Sequence, residues 1–165
     1  MKKIMIVDDN YLSAEGIEKN IDWETLNAEI VHVCYNGTSA IAAMKKEPAD
    51  LIISDIEMPD LDGISMSRQA LEINPMVKII LISAYDKFEY ARRALLLGAL
   101  DYIEKPLDYA YLIQKVKNAF ALMEKEQKNL QLLKQSRPLL TEKFFREITH
   151  LPSSEAAYRL KPYLQ

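Results

Sequence analysis

Leu51-Ile52-Ile53-Ser54-Asp55-Ile56-Glu57-Met58-Pro59-Asp60-Leu61-Asp62-Gly63 is the stretch on which the fold turns. Its opening is apolar apart from one small hydroxyl, as in a strand covered on both faces, and a run of acidic and turn-forming residues follows at once. Four similar short runs rich in Ile, Val and Leu lie outward of it, at 4–7, 30–34, 78–82 and 101–103. Segments of helical character separate them, near 12–20, 39–46, 64–73 and 87–97. Alternating units of this kind require right-handed crossovers, a parallel sheet and helices on both faces. The expected class is therefore α/β, a doubly wound five-stranded parallel sheet whose working site lies beyond the carboxyl ends of the strands.

Helix boundaries are marked in several places. Asp86 and Glu89 match a capping box, Tyr85 and Tyr90 the flanking staple, Gly98 a helix stop, and Asp108 the cap of the next helix. From Tyr109 to about Gln135 there is no Gly and no Pro, which predicts one long helix. Pro138 is expected to kink or restart it, 139–150 to form another helix, and Leu151-Pro152-Ser153-Ser154 to break the chain before a last short one. Met123, Leu130, Leu133, Leu140 and Phe144 make a 3/4-spaced seam, interrupted by Glu126 and Arg137. That divides the chain into 1–122, a globular domain, and 123–165, a helical extension.

A chain of 165 residues, 49% hydrophobic and 27% charged with both signs mixed, is a folded domain with an appendage. A net charge of -3 gives no general attraction to polyanions. The single cysteine, Cys34, reads as part of a buried strand. With no apolar run long enough to span a bilayer and no signal-peptide pattern after Met-Lys-Lys, a cytoplasmic location without membrane contact is expected.

On the predicted sheet Asp8 and Asp9 follow the first strand and Asp55 the third, so three carboxylates converge on one edge. Such a cluster either holds protons or binds a cation, and a hard divalent ion such as magnesium prefers oxygen ligands. Ser83 ends the fourth strand and Lys105 follows the fifth. A nucleophilic carboxylate, a metal, a hydroxyl donor and an ammonium together suit phosphoryl transfer, where catalysis is positioning and charge neutralisation.

Ile4-Met5-Ile6-Val7-Asp8-Asp9, Asp55 through Gly63, Ser83-Ala84 and Asp101-Tyr102-Ile103-Glu104-Lys105-Pro106, taken in this order, resemble the receiver domain of bacterial two-component response regulators. The extension and the stretch around Trp23 are similar to the branch with AraC-type helix-turn-helix output. The resemblance implies a flavodoxin-like sheet of order 2-1-3-4-5 and Asp55 as phosphoacceptor for a sensor histidine kinase. It implies Mg2+ held by the side chains of Asp9 and Asp55 and the Glu57 backbone carbonyl, with Asp8 acting through water. Ser83 and Lys105 would contact the phosphoryl group, Tyr102 would be the rotating switch aromatic, and the Lys105-Pro106 bond would be cis. The chain would not be a turnover enzyme, only a phosphoacceptor that assists its own phosphorylation and dephosphorylation.

Plainer readings stand beside these. Asp60 and Asp62 read as turn formers, and the Glu57 side chain as exposed. Tyr102 taken without the motif reads as packing, His32 and His150 as structural, and Trp23 as packed after the first helix. The helical seam admits two readings, packing on the chain's own domain or pairing with a second copy. Homodimerisation through the face of the fourth helix, fifth strand and fifth helix, or through the C-terminal helix, is the expected form of self-association. No DNA-binding domain fits after Leu151, so DNA contact would need an output domain absent from this chain. The enzymatic alternative is a haloacid-dehalogenase-type phosphatase, which wants a second Asp two residues after the nucleophile where this chain has Glu57. A dinucleotide site lacks its glycine turn, and a receiver reduced to a structural role is the third alternative.

Overall fold

The computed structural model describes residues 1–84 and 88–148, with side chains described for 1–84, 92–94 and 96–134. Five strands, β1 (Lys2–Val7), β2 (Ala28–Cys34), β3 (Leu51–Asp55), β4 (Lys78–Ser83) and β5 (Asp101–Glu104), alternate with α1 (Tyr11–Asn20), α2 (Gly37–Lys46), α3 (Gly63–Ile73), α4 (Phe88–Leu97) and α5 (Tyr109–Ile148). All strand pairs are parallel and the order is β2-β1-β3-β4-β5. This is the doubly wound five-stranded sheet read from the sequence, carrying a C-terminal helix.

The strands differ in burial as their positions demand. Every residue of the central β3 is buried and β4 is buried beyond its first residue, because helices cover both faces. The edge strands β2 and β5 are only partly buried. The core gathers Met5, Val7, Ile52, Ile79 and Leu81 from the sheet with Met44, Met66 and Ala70 from the helices.

The starts of α1, α2, α3 and α5 each carry a side chain that satisfies amide groups left open there. Asn10 accepts from the Leu12 and Ser13 amides, Asn36 from Ser39, Asp62 from Ile64 and Ser65, and Asp108 from Ala110 and Tyr111. Asp62 is thus a cap and Asp60 takes a left-handed turn conformation at φ 69°, in keeping with their reading as turn formers. Gly98 ends α4 at φ 88°. Cys34 is buried, and burial pushes its thiol up against the opposing Ser39 hydrogen bond, which suits an inert strand residue. Trp23 is buried with its indole donating to the Glu18 carbonyl, and the His32 ring meets the Glu47 carbonyl.

The chain divides into two compact units, Met1–Ala121 and Leu122–Gln165. The helix does not restart at Pro138, and 139–148 do not form a separate helix, since α5 is continuous to Ile148. A proline removes one backbone N–H and bends a helix, but the strong helix formers ahead of it, Leu132-Leu133-Lys134-Gln135, let the ladder resume. In the second unit Leu130, Leu132 and Leu133 are exposed and Met123 is buried. The side chains of Tyr85, Asp86, Glu89, Tyr90, Leu140, Phe144 and His150, and the expected break at 151–154, lie outside the described residues. Among the described residues no helix is long and apolar enough to cross a membrane.

Ile52 is fully buried in β3, so Ile52→Ala is expected to cost about 2–5 kcal/mol, read as a lower urea midpoint at unchanged slope.

Candidate functional site

Parallel registration brings the acidic and basic groups together. Val7 pairs with Ser54 and Asp55 with Ile82, so Asp8 leaves β1 level with Asp55 and Ser83 stands one residue beyond Asp55's partner. Ser83 in turn pairs with Glu104, and Lys105 follows it at the same edge. One oxygen each of Asp8, Asp9 and Asp55 lie within 4.8 Å of one another. The Lys105 Nζ stands 2.9 Å from Asp8 Oδ2 and 3.5 Å from Asp55 Oδ2. Asp8, Asp55 and Ser83 are buried and Asp9 is exposed, which leaves the cluster one open side.

The electrostatics follow from the crowding. Burial, opposed by Lys105 and reinforced by Asp8, pushes the Asp55 carboxyl up to about 6. Burial works against the Lys105 ammonium, but the Asp8 hydrogen bond and the Asp55 charge outweigh it and raise its pKa. Lys105 leans toward Asp8 because the nearer carboxylate gives the stronger charge-assisted bond. Asp8 is further held by the Asn10 amide, which donates to its Oδ1 at 2.9 Å.

One ammonium cannot neutralise three carboxylates, and Asp55 Oδ1 is buried with no hydrogen-bond partner. An orphaned carboxylate oxygen beside two further acids is a hard, oxygen-only donor set, an acidic pocket of the kind that binds Mg2+. The residues therefore fit the ion.

The loop after Asp55 is fixed at both ends. The Ile56 amide donates to the Ile82 carbonyl at 2.9 Å, and the Gly63 amide to the Ile56 carbonyl at 2.8 Å. A Cβ on Gly63 would fall 2.0 Å from the Asp55 carbonyl oxygen, so only glycine lets α3 begin there. The Ser54 hydroxyl also donates to that carbonyl at 2.8 Å. The roles of Gly63, Ser54 and Asn10 were not assigned from the sequence; the signal for Asn10 was its place two residues ahead of a helix.

Glu57, read from the sequence as exposed, is instead half-buried, because with Ile56, Met58, Asp62 and Arg93 it lines a cavity beside the loop. Tyr102 is half-buried and packs against the core cluster. Its amide donates to Asp101 Oδ1 at 3.0 Å, and Asp101 also binds Lys115 of α5 at 2.6 Å. The Lys105-Pro106 bond is cis. Asp8, Asp9, Asp55, Ser83 and Lys105 thus stand at one sheet edge, with Glu57 on the loop after Asp55 and Tyr102 on β5.

Residues 4–117 match the response regulator receiver domain family. The transcriptional regulatory protein YesN of Bacillus subtilis is 28% identical over 126 residues, covering 76% of this chain and 34% of YesN. The receiver domain of AraT, a response regulator from Geobacillus stearothermophilus, superposes with TM-score 0.72 at 34% identity, covering 76% of this chain and 98% of that one. A two-component transcriptional regulator AraC from Clostridium phytofermentans gives TM-score 0.69 at 30% identity, covering 78% and 99%. The chain spans about a third of the length of YesN. The haloacid-dehalogenase alternative finds no support in these likenesses.

Raising a carboxyl from 3.8 to about 6 means that the folded state holds a proton the unfolded chain has lost. Stability of the metal-free protein is thus expected to fall as pH rises from about 4 through about 6, by up to about 3 kcal/mol. Asp55→Asn removes that slope; thermal melts in chelator that show the same pH dependence in both proteins would contradict it.

Proposed function

Because the chain belongs to the response regulator receiver domain family, we propose that Asp55 accepts a phosphoryl group from the phosphohistidine of a sensor histidine kinase. The observation that carries this reading is the buried Asp55 carboxylate, with one orphaned oxygen, 3.5 Å from Lys105 and beside Asp8 and Asp9. An Asp55 oxygen attacks phosphorus, the phosphorus–nitrogen bond breaks, and the imidazole nitrogen keeps the electron pair. The product is an acyl phosphate on this chain. It is not a turnover enzyme; its own residues assist both the gain and the hydrolytic loss of the group.

Asp9 and Asp55 would hold Mg2+ through their side chains, Glu57 through its backbone carbonyl and Asp8 through water. When bound, the ion neutralises charge on the attacking carboxylate and the transferred oxygens. Lys105 exchanges its bond to Asp8 for one to a phosphoryl oxygen, and the Ser83 hydroxyl donates to another. The movement of Ser83 opens space into which Tyr102 turns, altering the face formed by α4, β5 and α5. Driving such a switch from 1:99 to 99:1 takes about 5.5 kcal/mol, more than a single hydrogen bond of roughly 0.5–1.5 kcal/mol supplies. Lys105, Ser83 and the ion therefore act as a set.

Residues 123–165 act in this reading as a helical linker toward a DNA-binding output domain of AraC type, outside this chain, that regulates transcription. The support is the company of transcriptional regulators among its relatives and the continuous 40-residue helix α5. Self-association uses the face of α4, β5 and α5 or the exposed leucines of α5, Leu130 and Leu133. A cytoplasmic setting suits a partner kinase that presents its phosphohistidine there.

Incubation with acetyl phosphate and Mg2+ is expected to label the chain once, and Asp55→Asn to abolish the label while leaving the circular dichroism spectrum unchanged; a labelled Asp55→Asn protein refutes the assignment. Light scattering with beryllofluoride and Mg2+ is expected to show a dimer, and a monomer at high concentration with and without the mimic rules self-association out.

A further inference from the structure

The loop from Ile56 to Asp62 is pinned at its ends, as described above, so any displacement forced on it must be taken up in 57–60. Its far side meets the start of α2. A Cβ added to Gly37, the first residue of that helix, would lie 2.4 Å from the Leu61 carbonyl oxygen, 2.9 Å from Leu61 Cβ and 3.1 Å from its Cγ. The nearest of these atoms is backbone, which cannot swing away as a side-chain tip does.

Neither neighbour is free to yield by itself. The α2 start is anchored by Asn36, whose side chain accepts from the Ser39 amide at 2.8 Å and whose carbonyl accepts from the Ser39 hydroxyl at 2.9 Å. Beyond Leu61, Gly63 already abuts the Asp55 carbonyl, and the Asp62 side chain is committed to the Ile64 and Ser65 amides. Within the loop the Leu61 amide donates to the Pro59 carbonyl at 2.9 Å and Asp60 is in the left-handed region. A push at Leu61 is therefore passed back toward Glu57.

We propose that Gly37 is a positioning residue for ion binding at Asp55: by lacking a side chain it lets α2 press on Leu61 and so sets where the Glu57 carbonyl stands. Gly37 touches neither the ion nor the phosphoryl group. It acts through the loop, in the manner of the supporting contacts that aim metal ligands. The inference rests on the reading under which the Glu57 carbonyl is a ligand of Mg2+.

The test is calorimetric titration of magnesium chloride into the full chain, with amide NMR shifts of the metal-free protein. Gly37→Ala is expected to weaken Mg2+ binding about tenfold and to shift the Glu57, Met58 and Asp60 amides before any metal is added. Gly98→Ala, strained by its positive φ but meeting nothing within 4 Å, is expected to lower the melting temperature and leave Mg2+ affinity at the wild-type value. Leu61→Ala, which slackens the same contact from the other side, is expected to weaken binding in the same direction and carries the test should Gly37→Ala not fold. Wild-type Mg2+ affinity in Gly37→Ala and Leu61→Ala, or a loss in Gly98→Ala as large as theirs, overturns the proposal. Failure of the underlying reading looks different: Asp55→Asn would bind Mg2+ as tightly as wild type, while the metal-free amide shifts still decide whether Gly37 sets the loop.

Discussion

Lys105 reaches from the end of β5 to two carboxylates that belong to two other strands, at 2.9 Å from Asp8 and 3.5 Å from Asp55. Their closeness is costly, because burial penalises each charge and like charges repel, and one ammonium relieves only part of it. The rest of the molecule can be understood as what it takes to hold this unbalanced cluster together. A two-faced core locks β1, β3 and β4 in register, and the register alone brings residues 8, 55 and 105 to one edge. The residual imbalance leaves an acidic pocket of the kind that binds Mg2+.

Rigidity is distributed unevenly around that cluster. The strand ends are held by ladder bonds and by capping side chains, and the Asp55 backbone is boxed in by Gly63 and the Ser54 hydroxyl. Glu57 and its neighbours sit in the one stretch of the loop between these anchors, where the backbone has room to respond. On the other side, Tyr102 hangs from Asp101, which also binds Lys115 of α5. Ser83 at the end of β4, its register partner Glu104 and the Asp101–Lys115 pair thus join the site edge to the first turns of α5.

Much of the fold was legible in the chain because its signals are local. Runs such as Leu51-Ile52-Ile53 announce doubly covered strands, and Asp108 and Gly98 mark helix ends by their own backbone preferences. A helix restarting at Pro138 was a misreading that weighed one residue's preference above that of its helical neighbours, and the Glu57 side chain, read as exposed, is half-buried beside the loop. The acidic and basic residues of the site were legible by their places at strand ends. Gly37 and Gly63 were not legible as determinants of the loop, since a glycine in sequence does not disclose which backbone passes beside it.

The order of apolar runs and turn residues, taken alone, determined the α/β class, the parallel sheet and the edge at which Asp8, Asp9, Asp55, Ser83 and Lys105 gather, since period and punctuation are properties of neighbours along the chain. Only the tertiary structure decided that Lys105 bonds Asp8 more closely than Asp55, that Asp55 Oδ1 is left without a partner, and that α2 presses on Leu61. Those facts depend on distances of a few tenths of an ångström between segments far apart in sequence. Such distances are set by how the helices pack on the sheet, which no local preference encodes.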